Sequence, residues 1–566
     1  MQRFSFVLLI GWLIVPAHAA VTFNKDVAPL VFAHCAGCHR PGQSGPFALL
    51  SYADVKKRAK QIAEITAKRY MPPWLPEGAQ HEFLGDRRLS NHEIRLFGEW
   101  FENGAPEGSA ADLRARPDWV EGWQLGQPDL IVKMPKVFRL PAEGRDVYRN
   151  FVIPASLGQA KYVRAVEFRP DNPKIVHHAF IKVDSTRHVR GLEGKDGAPG
   201  FGGMNLPDGV NMPSGYFLSW QPGKTVAPEP PGFGWMLLPG QDLVLQTHLR
   251  PTGKPEELQA EIGLYFTEVP PTNIAMVFVL CSFNIDIPAG TDAYLVRDSF
   301  ILPLEVDLLA VLPHTHYLGK RLEGIAELAD GSTKPLISIP DWDFNWQGDY
   351  RYARPVHLPR GTTLRMQYSF DNSTANPRNP NQPPKEVRYG PQSTDEMAEL
   401  WFQVRLQNTN ELSALAEACN EHQAQTFEKY AHFRLEKNPR DAQARTELGF
   451  ILWKHGQIAS AVDAFRTAAA DDPSFDQPHY YLGVISRTQK RLADAQTEFL
   501  TAIRLNPANS KAFGNLGFVY LALGNIDAAE ANLAQALKLN PADDLARSTL
   551  QEIRQKRPHS PAQSKN

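Results

Sequence analysis

The sequence predicts a multidomain chain: a small all-α N-terminal module, two tandem antiparallel β-sandwiches of jelly-roll type, and an all-α C-terminal solenoid. Three observations predict it. At 566 residues the chain is longer than one hydrophobic core usually serves, so several domains are expected. Its middle part consists of short apolar runs broken by Pro, Gly and Asn-Pro clusters, as in antiparallel strands. Its last part repeats every 34 residues. A net charge of −2 with no basic run points to no nucleic-acid partner and no anionic membrane surface.

Residues 1–20 read as an export signal: Arg3, an apolar stretch from Phe4 to Val15, Pro16 and Ala17-His18-Ala19. The stretch is too short to span a bilayer and no second one follows, so a periplasmic or secreted chain without a membrane span is expected. Residues 21–108 read as helical. Ser90-Asn91-His92-Glu93 is a capping box ahead of Ile94, Phe97 and Trp100, and Gly104 ends the run. Residues 109–127 read as a linker.

The helical module carries Cys35-Ala36-Gly37-Cys38-His39, the signature of covalent c-type haem attachment. The two thiols form thioethers and His39 becomes an axial ligand. Met71, in Arg69-Tyr70-Met71-Pro72-Pro73-Trp74, is the favoured sixth ligand and His81 its rival. That segment resembles the Met loop of small bacterial cytochromes c, and His/Met ligation suits an electron carrier. His34 and His92 read as surface residues. Of the four cysteines, Cys281 and Cys419 stand outside the motif, open between a disulfide and two buried thiols.

The strand-rich stretch, with runs such as Asp242 to Leu249 and Thr363 to Phe370, divides near Pro270-Pro271 into sandwiches over 128–269 and 270–408. Across them lie His177-His178, His248, His314-Thr315-His316 and Met397. Thioether selects Cu(I), and imidazole suits either copper state. His314 and His316, two apart on a strand, project from one face and can share a metal. His177 and His178 are adjacent, so reaching one ion requires a bulge or different ring nitrogens. Met366 is the chemical alternative to Met397, and His188 and His357 match no motif.

The order of these motifs, with Tyr216-Phe217-Leu218-Ser219-Trp220, Leu238-Pro239-Gly240, His314 to Lys320 and Asp395-Glu396-Met397, resembles the copper type II, ascorbate-dependent monooxygenases. That family includes the peptidylglycine α-hydroxylating and dopamine β-hydroxylating enzymes, and the resemblance covers 130–408. It implies an electron-transfer copper on His177, His178 and His248, and an oxygen-binding, catalytic copper on His314, His316 and Met397. It also implies ascorbate as an external reductant.

Two departures stand out. The disulfide cysteines of the animal enzymes are missing. Where peptide-amidating members anchor a substrate carboxylate with Arg and Tyr, this chain has Leu312 and Trp401, which disfavours peptidylglycine and suits an apolar or aromatic small molecule. Arg365 or Lys320 could supply charge from elsewhere.

At the C-terminus, Pro439, Pro473, Pro507 and Pro541 keep the 34-residue step. So do Leu448-Gly449, Leu482-Gly483 and Leu516-Gly517, and Ala461, Ala495 and Ala529. The period resembles the tetratricopeptide repeat, a stacking helix–turn–helix unit. A capping helix over 411–437 opens an array ending near 555, the tail from 556 reads as disordered, and the repeats imply a protein partner. The expected function is a copper monooxygenase that hydroxylates a C–H bond with O2. A redox donor would supply its electrons through the fused cytochrome. The alternative is a non-catalytic copper and electron-transfer protein, or a protein-binding scaffold.

Overall fold

The computed structural model describes residues 20–78, 82–204, 206–207, 209–213, 215–224, 226–541 and 543–556. Residues 1–19 of the expected export signal, His81 and the tail from 557 lie outside the described residues. The chain divides into two compact units, Met1–Trp74 with Gly85–Gln124, and Leu75–Leu84 with Leu125–Asn566.

In the first unit the described secondary structure is helical: Phe23–Val27, Ala28–His34, Tyr52–Lys56, Ala59–Ala67, Asn91–Glu102 and the short Ala110–Asp112. The capping box forms as read: Ser90 Oγ accepts from Glu93 N and the Glu93 carboxylate accepts from Ser90 N. Helix Asn91–Glu102 then lays Phe97 and Trp100 into a core with Phe23, Val27 and Val31. The expected linker is partly built into this unit. Buried Asn24 needs acceptors for its amide and finds the Ser109 carbonyl at 3.0 Å, while Trp119 packs edge-on against Phe32.

Leu75–Leu84 belongs to the second unit, so the helical module expected over 21–108 is interrupted. Leu84 N donates to Arg351 O at 2.8 Å and Ala353 N to Glu82 O at 2.7 Å, covering the edge strand Tyr350–Leu358. An open edge is a row of unpaired N–H and C=O groups, which explains why an inserted segment is held there.

The second unit opens with two β-sandwiches. In the first, the sheet Leu130–Lys133, Glu261–Thr267, Lys161–Arg169 and Trp235–Leu237 faces one centred on Val147–Pro154, Asp242–Leu249 and Val176–Asp184. Leu243, Leu245, Ile262, Leu264 and Val163 fill the space between them. In the second, Ile274–Cys281, Glu399–Leu406, Val306–His314 and Tyr350–Leu358 form one sheet in that order. Tyr294–Ile301, Thr363–Phe370, Gly319–Glu327 and Thr333–Ile339 form the other.

Polar groups lock the two sandwiches together. Gln403 Nε2 donates to Gly215 O at 2.7 Å, Arg351 pairs with Glu229 at 2.9 Å, and Asp349 takes Lys224 and Ser219. Gly215 has φ +81° and sits where a Cβ would strike the Ala275 carbonyl, so only glycine permits that approach.

Helix Thr409–Lys437 leads into paired helices Ala442–Lys454 and Ile458–Asp471, Asp476–Thr488 and Leu492–Leu505, Ser510–Ala522 and Ile526–Leu539, closed by Asp544–Lys556. The recurring glycines have a packing cause. A Cβ on Gly449 would stand 2.8 Å from Phe465, one on Gly483 2.7 Å from Phe499, and one on Gly517 2.8 Å from Leu533. Each repeat thus presses a large side chain of its second helix against a bare backbone on its first. Cys281 and Cys419 are free thiols. No described helix is long and apolar enough to cross a membrane.

Candidate metal centre

His248 faces His178 directly across the ladder, and the register then slips so that Leu249 pairs with Val176. His177 is the extra residue of that bulge, which turns two adjacent imidazoles toward one point. His177 Nδ1 lies 3.1 Å from His248 Nδ1, and His248 Nδ1 lies 3.3 Å from His178 Nε2. Three nitrogens on an ion at about 2.0–2.1 Å in tetrahedral geometry stand roughly 3.3 Å apart, so the spacing fits a metal. Different ring nitrogens are used as well as the bulge.

Burial, reinforced by the neighbouring imidazoles, holds His177 and His178 well below the ordinary histidine range. Neutral imidazole is the ligating form. His248 is fully buried; burial also lowers it, opposed by Asp146, whose Oδ2 accepts from its Nε2 at 2.8 Å. That bond leaves Nδ1 facing the cluster. Tyr148 stacks on the same ring at 4.3 Å. The outer nitrogens of the other two, His177 Nε2 and His178 Nδ1, are buried without a hydrogen-bond partner.

The second cluster is assembled differently from the expectation. The strand Val306–His314 ends at His314, so His316 is not placed by strand alternation. Fully buried Glu396 places it. Its carboxylate accepts from Thr315 Oγ1 at 2.7 Å, His316 N at 2.9 Å, Leu318 N at 2.6 Å and Met397 N at 3.2 Å. One side chain therefore clamps the His-Thr-His turn to the backbone of Met397. Burial pushes this carboxyl up to about 7, against the pull of its four donors. Gly319 closes the turn, where a Cβ would meet Thr315 at 2.4 Å and Trp342 at 2.8 Å.

His314 and His316 stand with ring centroids 5.2 Å apart, both held by Nδ1. His314 Nδ1 meets Gln347 Oε1 at 2.7 Å, and His316 Nδ1 meets the Asp395 carbonyl at 3.0 Å. Each Nε2 is the atom left to ligate. Burial lowers His316 to about 3, so it stays neutral. Met366 is buried on its strand, while His188 and His357 are exposed, the latter bonded to Asp307.

The turn Asp343–Gln347, which no motif announced, touches both clusters. Fully buried Phe344 has its ring centroid 5.1 Å from His177, 5.9 Å from His248, 5.6 Å from His316 and 4.7 Å from Tyr317. Asn345 holds the Arg250 guanidinium at 2.6 Å, and Gln347 holds His314.

Leu312 and Trp401, at the positions where peptide-amidating members anchor a carboxylate, pack in an apolar cluster with Phe180, Met212 and Phe217 of the first sandwich. Arg365 and Lys320 are exposed and paired with Glu327 and Asp341. The cation beside the first cluster is instead Arg250, whose charge lowers His177 and His248.

In the first unit, helix Ala28–His34 ends at the Cys-x-x-Cys-His turn, where His39 N donates to Cys35 O at 2.9 Å. His39 Nδ1 bonds the Phe47 carbonyl at 3.1 Å, leaving Nε2 to ligate. A Cβ on Gly45 would fall 2.7 Å from Cys38 O and 2.9 Å from His39 Nδ1, so glycine lets this loop close on the histidine. Burial pushes the Cys35 thiol up to about 12. Met71 is half-buried. His92 is exposed, whereas His34 is half-buried with Nδ1 on Arg87 O.

The C-terminal repeats are tetratricopeptide repeats: family models described as Tetratricopeptide repeat match 431–474, 446–510 and 486–553. Among solved structures the chain is similar to the first TPR of Spaghetti (RPAP3) bound to HSP90 peptide SRMEEVD. That likeness has 24% identity, covers 20% of this chain and 90% of that one, and has a TM-score of 0.20. It is also similar to MamA protein, at 18% identity, covering 24% of this chain and 74% of that one, with a TM-score of 0.22. No curated protein matches the chain.

Proposed function

We propose that the chain is an exported copper- and haem-containing monooxygenase carried on a protein-binding repeat array. The observation that carries the copper reading is the convergence of His177 Nδ1, His178 Nε2 and His248 Nδ1 at 3.1 and 3.3 Å. Nitrogen and thioether donors suit copper, with His314, His316 and Met397 as the second set. Cys35, Cys38 and His39 fit a covalent haem, with Met71 as its sixth ligand. Bound, these groups would supply one-electron storage and oxygen activation.

The overall chemistry takes a C–H bond, O2, two electrons and two protons to an alcohol and water. The chain's own residues fix the donors and the surroundings. Asp146 keeps the proton of His248 on Nε2, and Gln347 and the Asp395 carbonyl keep those of His314 and His316 on Nδ1. Glu396 fixes the turn that carries His316, and Phe344 occupies the space flanked by the two imidazole sets. Ascorbate is the external reductant this reading allows, alongside a redox donor to the haem.

The test is metal analysis followed by turnover. Two coppers per chain, with O2 uptake in the presence of reductant and candidate small apolar molecules, support the enzyme. A second reading is favoured by the repeats, the part of the chain that matches a known family. In it the chain is a protein-binding scaffold, or an electron carrier delivered to a partner, and copper without oxygen-dependent turnover would select it.

A further inference from the structure

The two imidazole sets differ in what stands behind them. The first is backed by a carboxylate, Asp146 on His248 Nε2 at 2.8 Å. The second is backed by neutral oxygens, the Gln347 amide on His314 Nδ1 at 2.7 Å and the Asp395 carbonyl on His316 Nδ1 at 3.0 Å. A carboxylate behind a ligating imidazole raises the ring's basicity and puts negative charge beside the metal, whereas an amide orients the ring without that charge.

We propose that Asp146 and Gln347 are positioning residues that set the two candidate copper sites to different reduction potentials, the Asp146-backed site lower. This rests on the copper reading above. Negative charge near the ion stabilises Cu(II) over Cu(I) at His177, His178 and His248. Neutral partners and a thioether favour Cu(I) at the other set. With copper bound, that difference would favour the second site as the acceptor of an electron held at the first.

Two nearby charges test the argument. Arg250 opposes Asp146, but its guanidinium is held by Asn345 at 2.6 Å, and Asp146 alone bonds an imidazole. Glu396 lies beside the second set, yet its two oxygens serve one hydroxyl and three backbone N–H groups and touch no imidazole. A carboxylate bonded to a ligand ring thus belongs to the first site.

The experiment is a redox titration of the full-length, copper-loaded chain, following each Cu(II) signal by electron paramagnetic resonance. Asp146→Asn is expected to weaken Cu(II) relative to Cu(I) at the first site about tenfold, which is about 59 mV upward for one electron. Asp146→Glu, which keeps the charge, should stay near the parent. Gln347→Glu should move the second site in the opposite direction, downward. The inference is overturned if Asp146→Asn and Asp146→Glu shift alike, if the first site shifts less than about threefold, or if Gln347→Glu leaves the second unmoved. A parent chain that takes up no copper would instead sink the copper reading itself, so the two failures are told apart in one series.

Discussion

Glu396→Ala gives the sharpest test of how the second cluster is built. The carboxylate serves four donors at 2.6–3.2 Å, all in a buried region. An orphaned buried donor costs about 1–3 kcal/mol, and water entering the vacated volume recovers part of that. We expect a net loss of about 3–5 kcal/mol, toward the high end for single substitutions. At roughly 2–4 °C per kcal/mol, the sandwich transition should fall by about 10 °C, while the tetratricopeptide transition serves as an internal reference. Scanning calorimetry of metal-free protein reads this directly. Glu396→Gln should lose about 1–3 kcal/mol, because an amide replaces one acceptor oxygen with a donor facing N–H groups. On the proposed copper reading, uptake should fall from two per chain to one in the alanine variant. A sandwich transition within about 2 °C of the parent, with both coppers retained, would refute the clamp.

Three further outcomes follow from named contacts. Burial pushes the Asp349 carboxyl up, but the Lys224 charge and bonds from Lys224 and Ser219 more than offset it and hold it low. The stability it supplies is therefore present above about pH 4 and lost as pH falls through the depressed folded value. Lys224→Met should cost about 3–5 kcal/mol near neutral pH, read by denaturant unfolding across pH, with the difference shrinking in acid. Gly483→Ala places a Cβ 2.7 Å from Phe499 and should lower the repeat transition by about 1–3 kcal/mol without touching copper uptake. Phe344→Ala empties the ring shared by His177, His248, His316 and Tyr317; it should cost about 3–5 kcal/mol and, on the proposed copper reading, alter the spectra of both candidate sites together.

The legible parts were those whose cause is local. The repeats declare themselves because each unit packs on its neighbour, so Gly449 and Phe465 recur with the period that brings them together. Adjacent His177 and His178 required a bulge or different nitrogens on geometric grounds alone, and both are present. The supporting groups were not legible. Asp146 lies 102 residues from His248 and Glu396 lies 80 from His316, separations across which no periodicity speaks. One faint signal was available: an acidic residue directly before a proposed Met ligand, in a segment otherwise passing into an apolar strand. The pairing of Leu312 with Trp401, opposite each other on neighbouring strands, was not legible because only the folded sheet sets that register.

The helix Thr409–Lys437 has 29 residues, against 13 or 14 in each repeat helix, and its length has a structural reason. Phe427 stacks on Phe283 at 5.0 Å, Tyr430 meets Tyr389 at 5.6 Å, and His422 bonds Asp298 at 2.9 Å, all against the second sandwich. Asp298 also accepts from Cys281 N, so the helix is pinned at the end of strand Ile274–Cys281 through a side chain already engaged there. The same helix also meets the repeats, where Arg434 binds Asp441 and Glu447 and Glu421 faces His455, while Lys437 at its end still pairs with Asp286 of the sandwich. It is less a cap than a spine that meets both along its length. A cap would only close the array. A spine fixes the repeats to the sandwich that carries His314, His316 and Met397, so a protein held by the repeats is held at a set distance from that sandwich.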